Sequence, residues 1–154
     1  MERAEPIPVA RRARMARWTR LLLALMAAGL VTVFALAAWI HPYDPAGQPQ
    51  SMATHMQLGL PPCSMIALTG RPCPSCGMTT AFALLVHGDV PNSLAANWVG
   101  TLIAVFWMAL IPWGILSAVR GRYWGLRTVE LPLTVAVGVF LTLMLARWGW
   151  LLLT

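Results

Sequence analysis

The chain has 154 residues, of which 58% are hydrophobic and only 10% charged, and its net charge is +6. Soluble domains carry about 25% charged residues, so this composition excludes a soluble fold with a polar shell. All eleven basic residues are arginine; they gather at the ends of apolar runs, which reads as membrane topology and not as a nucleic-acid footprint.

Residues 1–20 form a basic segment. Pro6 and Pro8 oppose a helix at its start, and Arg11, Arg12, Arg14, Arg17 and Arg20 follow. Such a flank is retained in the cytoplasm, and it also attracts anionic headgroups. Residues 21–40 carry no charge. At ~1.5 Å per residue they reach about 30 Å as a helix, the thickness of a bilayer's hydrocarbon core. Trp18 and Trp39 stand near the ends, where aromatic belts form. Ala35-Leu36-Ala37 offers a small-x-small cleavage site, but the apolar run exceeds the ~7–15 residues of a signal sequence. A first span is expected.

Residues 41–97 form the long connection. Its opening, His41 to Gln50, is rich in proline and glycine and reads as turns. All three cysteines, Cys63, Cys73 and Cys76, lie in this connection. A short helix is expected over 78–87, with Met78, Phe82, Leu85 and Val86 near helical spacing and Gly88 at its C-terminal stop. Ten residues reach about 15 Å, so this helix lies at the interface or re-enters the membrane without crossing it. Asp89 can cap the next helix, with Pro91 in its first turn and Asn92, Ser93 and Asn97 making its start polar.

A second span is expected over 98–119, bent near Pro112. An arginine-rich turn, 120–130, carries Arg120, Arg122 and Arg127 against Glu130. A third span, 131–153, is interrupted by Arg147, which can snorkel to the surface. The chain is thus expected to be an all-α integral membrane protein with three transmembrane helices and a short interfacial or re-entrant helix in its first loop. The arginine distribution puts the N-terminus and the 120–130 turn in the cytoplasm and the cysteines outside. A multi-pass protein of the inner, cytoplasmic membrane fits this pattern.

The run from Cys63 to Trp98 resembles the bacterial family called domain of unknown function 2752. The likeness rests on Cys63, Leu68-Thr69-Gly70, Cys73-Pro74-Ser75-Cys76-Gly77, Thr79, Gly88-Asp89 and Asn97. It covers roughly residues 58–100, with the flanking spans alike only in hydropathy. Many members have arginine where this chain has Thr80, and proline where it has Trp98. The resemblance implies a small membrane protein with its site at the cysteines; it brings no activity.

Cys73 and Cys76 have the spacing of a metal clip or a redox pair. Cys76 is placed before a helix start, where backbone N–H groups favour an anion, so its thiol is expected to be acidic. Zinc needs a fourth ligand beside Cys63, Cys73 and Cys76. His55 is the better candidate. His87 would stand about 16 Å from Cys76 along a straight helix, and His41 is a third choice. An extracytoplasmic site also permits one disulfide and one free thiol. A structural staple or metal clip ranks first, inert packing second and catalytic redox third. Gly77, Thr79, Gly88, Asp89 and Asn97 are read as structural. Arg147, near the outer end of the third span, can stand in for the arginine missing at position 80 as a charge partner; snorkelling to phosphate is the plainer reading.

The expected role is an accessory or scaffold protein with a structural cysteine site, within the lipid bilayer and beside a membrane-protein partner or a second copy. The alternatives are a membrane-embedded thiol redox enzyme or carrier using Cys73 and Cys76, and a small transporter subunit.

Overall fold

Uncharged apolar stretches of this length satisfy their backbone within a helix because lipid offers no hydrogen bonds. The computed structural model describes residues 15–126 and 128–153. Arg11, Arg12, Arg14 and Arg127 lie outside them. Three long helices form: α1 (Arg17–Trp39), α4 (Val90–Arg120) and α5 (Glu130–Leu153). Between α1 and α4 come a 3-10 turn (Thr54–Leu58), α2 (Ser64–Thr69) and α3 (Met78–Val86). There is no strand among the described residues, only an isolated bridge between Tyr43 and Pro49. The three long helices are each apolar and long enough to cross a membrane. The protein is an all-α, multi-pass membrane protein.

The helix ends follow local chemistry. α1 begins at Arg17, before the uncharged run starts, and in its first turn Arg20 turns back onto the bundle: its Nε donates to the Ala118 carbonyl at 2.7 Å. α4 begins behind Asp89, whose carboxylate accepts from the Asn92 backbone N–H at 3.3 Å, with Pro91 in the first turn. It stops at Gly121. Pro112 lies within α4, but the departure from helical dihedrals is at Asn97, with φ −160° and ψ 94°. Residues 90–96 are therefore a short lead-in, and the long apolar part follows the break.

α3 fills the space between α1 and α4. Ala81, Phe82, Ala83 and Leu84 are buried in succession, so the helix is enclosed and not laid on a surface. Phe82 stacks on Phe34 of α1 at 5.7 Å and meets the edge of Trp107 of α4 at 5.6 Å. The short helix expected over 78–87 thus forms as α3, packed between two of the long helices. Small residues allow the close approach: Ala27 and Ala37 in α1, and Gly100, Ala104 and Gly114 in α4. Such contacts drive helix association in lipid, where apolar burial alone gives no preference. α5 buries none of its residues and touches the bundle at a few points, one being the Phe106–Phe140 ring contact at 5.3 Å.

The two ends of the bundle differ. At one end the start of α1 meets the end of α4, with Met15 N–H donating to the Gly121 carbonyl at 2.9 Å. Arg17, Arg20, Arg120 and Arg122 belong to this end. At the other end the cysteine connection meets the C-terminal turns of α5. Trp148 Nε1 donates to the Pro72 carbonyl at 3.0 Å, and Arg71 Nη1 to the Leu152 carbonyl at 3.4 Å.

Gly77 is the tightest backbone crossing. Its φ is +81°, and an added Cβ would stand 2.7 Å from the Ala96 oxygen and 3.0 Å from the Ser51 oxygen. The left-handed conformation alone costs an alanine about 1–2 kcal/mol, before the clash. Gly77→Ala is expected to lower the melting temperature of the purified protein sharply. Gly138→Ala, where an added methyl meets nothing within 4 Å, should leave it unchanged. Equal melting of the two variants would contradict this packing.

Candidate functional site: a three-cysteine cluster

Two short segments bring the cysteines together. Cys63 precedes α2, and the 73–76 turn precedes α3. That turn is closed by Cys76 N–H donating to the Cys73 carbonyl at 3.1 Å and Met78 N–H to the Ser75 carbonyl at 3.0 Å. Cys73 and Cys76 Sγ are 3.1 Å apart, and Cys76 and Cys63 Sγ are 3.6 Å apart. All three sulfurs lie within 4.8 Å of one another. A tetrahedral zinc with Zn–S bonds of ~2.3 Å would set its sulfurs about 3.8 Å apart, so this donor set fits such an ion. The thiols are free, and each is partly exposed.

The acidic thiol is Cys63, not Cys76. The backbone N–H of Ile66 faces the Cys63 sulfur at the start of α2 and, against burial, lowers its thiol to about 7. Burial pushes the Cys76 thiol up to about 12, and the Cys73 thiol beside it adds to the rise. The expectation for Cys76 fails because burial outweighs the single backbone N–H that faces its sulfur, while Gly77, in its left-handed conformation, stands at the start of α3. The Cys76 sulfur turns back instead and accepts from the Cys73 N–H at 3.1 Å.

Asn97 fixes this turn to α4. Its Nδ2 donates to the Cys76 carbonyl at 3.1 Å, and its Oδ1 accepts from Gly100 N–H at 3.0 Å. In an unbroken helix Gly100 N–H would bond to the Ala96 carbonyl. Released from that partner, the Ala96 carbonyl accepts from Arg147 Nη2 of α5 at 3.1 Å. Arg147 thus points inward and is half-buried, with Nη1 buried and unpartnered among the described residues. Its charge lies within electrostatic reach of Cys76.

Other residues buttress the site. Thr80 is buried, its hydroxyl 3.0 Å from that of Thr54. Ser93 Oγ donates to the Ala81 carbonyl at 2.7 Å and lies 2.8 Å from Thr101 Oγ1. Gly88 and Asp89 sit at the far end of α3, where Asp89 holds Asn92 and accepts from the Tyr43 hydroxyl at 3.2 Å. The Thr54–Thr80 and Ser93–Thr101 pairs were not singled out from the sequence, because nothing in spacing reveals which hydroxyls meet across elements.

A cavity of about 570 Å³ opens over the sulfurs, and Thr79 and His55 line it. His55 is outside the close group of sulfurs, and its Nε2 lies 3.2 Å from the Pro61 carbonyl. His87 bonds through Nδ1 to the Ala83 carbonyl at 2.8 Å, at the other end of α3. The backbone of His41 is clasped by the Gln57 amide. The structure brings neither of these two histidines to the cysteines.

Residues 63–111 match the model of a family described as Protein of unknown function (DUF2752). The family recognised in the cysteine motif is thus the one found, over the segment that holds the cysteines, α3 and most of α4. No curated protein and no solved structure matches the chain.

In the reduced, metal-free protein, Cys63 is expected to react first with iodoacetamide as pH rises, because only the thiolate attacks. Its rate should reach half its plateau near pH 7, while Cys76 reacts last. Peptide mass spectrometry over a pH series reads this order. Reaction of Cys76 before Cys63 would contradict it.

Proposed function

We propose that this protein is a membrane accessory or scaffold protein whose cysteines clip the first connection to the bundle through a bound thiophilic ion, with zinc as the plainest case. The observation that carries this reading is the convergence of three sulfurs within 4.8 Å from two separate segments. A clip of this kind would hold α2 against the entry of α3, where the chain has few buried side chains of its own: α2 buries none. Metal binding then contributes directly to folding. The three cysteines line the cavity, from which His55, water or a partner's side chain would complete the shell.

The arginine end of the bundle supports an orientation with the N-terminus and the 120–130 turn in the cytoplasm and the cysteine cluster outside, in the inner membrane. A membrane-impermeant maleimide added to intact cells after chelation should then label Cys63. Labelling that requires the membrane to be opened would overturn the orientation.

A second reading, a thiol redox carrier, is favoured by the 3.1 Å contact between Cys73 and Cys76. Oxidation would draw these sulfurs to the ~2.05 Å of a disulfide. Metal analysis and thiol counting on the same purified sample separate the two. The clip predicts three alkylatable thiols and about one ion per chain, lost in Cys63→Ser. A mass lower by two hydrogens with one alkylatable thiol supports the carrier instead. Three free thiols that take up no added zinc would overturn the clip.

A further inference from the structure

The cavity above the cluster holds more sulfur than the cysteines supply. Met52 and Met56 line it together with Cys63, Cys73 and Cys76. Among the described residues no carboxylate lines it, and His55 is the only imidazole there. The two methionines flank Ala53, a non-glycine residue held at φ +72°. They are 40% and 48% exposed, on the 3-10 turn and the residues just before it. The sequence gives no reason for thioethers at those positions, since this stretch is neither a span nor a core face.

The chemistry of the lining is selective. Thiolates and thioethers are soft donors and favour copper(I); carboxylates and water favour hard ions. A structural zinc closes its shell with four strong ligands, and this site supplies three close thiols with His55 set apart. Copper(I) is satisfied by three sulfurs. A monovalent ion on three thiolates keeps net negative charge, and Arg147 stands beside the cluster with a buried Nη1 that has no partner among the described residues. Such a neighbouring cation is the outer-shell support that an anionic metal centre calls for.

We infer that the cavity binds a soft monovalent ion of the copper(I) class, held by Cys63, Cys73 and Cys76 and overlaid by the thioethers of Met52 and Met56. This rests on the metal-clip reading and narrows it: zinc becomes the secondary ion, and the methionines become part of the site.

The test titrates the full-length, reduced protein in detergent with copper(I) supplied as its bicinchoninate complex, and separately with zinc against a chromophoric chelator. The Met52→Leu, Met56→Leu double variant is measured beside the wild type. The expected result is that the wild type withdraws copper(I) and the variant loses affinity on the order of tenfold. Zinc affinity should stay within about twofold, which shows that the thiol cluster of the variant is intact. Equal copper(I) affinity in both proteins overturns the inference. So does zinc binding without copper(I) binding, and that result leaves the clip standing. Binding of neither ion by three free thiols removes the clip and the inference together.

Discussion

Asn97 interrupts α4, and the site is assembled around that interruption. By accepting from Gly100 N–H, its side chain takes the bond that the Ala96 carbonyl would otherwise receive. By donating to the Cys76 carbonyl, it fixes the turn that carries two of the three cysteines. The freed Ala96 oxygen then serves two neighbours. It accepts from Arg147, and it faces Gly77, where any side chain would collide with it. One buried amide therefore couples α4, α5 and the entry of α3. A buried polar group that loses its partner costs about 1–3 kcal/mol, so removing the Asn97 amide would leave the Cys76 carbonyl and the Gly100 N–H each facing a cost of that order.

The arrangement explains why a weakly packed α5 has a defined place. α5 buries no side chain, and lipid gives apolar faces no reason to prefer protein. Its polar contacts are therefore decisive: Arg147 to Ala96, Trp148 to Pro72, and Arg71 back to Leu152. All three end on backbone carbonyls around the cysteine connection. The third span is thereby tied to the site, and its arginine is directed inward to the Ala96 carbonyl, beside the break at Asn97.

Hydropathy made the three spans legible, because uncharged length is a property of the sequence itself. The cysteine motif was legible from spacing, and the resemblance to the family model that matches residues 63–111 rests on the same residues. The acidity of the thiols was not. It depends on which helix start faces which sulfur, and α2, six residues long, leaves no periodic signal. Arg147 was visible as an anomaly within an apolar run, but its inward turn depends on a carbonyl 51 residues away. Pro112 drew attention as the expected bend, while Asn97 holds the dihedral break. The proline's effect is local, and the asparagine's arises from partners on other elements. Met52 and Met56 carried no pattern at all; only the cavity reveals that they share a lining with the cysteines.

The central claim is that the three cysteines form one metal-binding centre. X-ray absorption at the edge of the metal co-purifying with the protein tests it most directly. The account predicts a first shell dominated by sulfur at about 2.3 Å, with three thiolates contributing. A first shell of oxygen and nitrogen alone would contradict it, because the ion would then be bound somewhere other than the cysteine cluster.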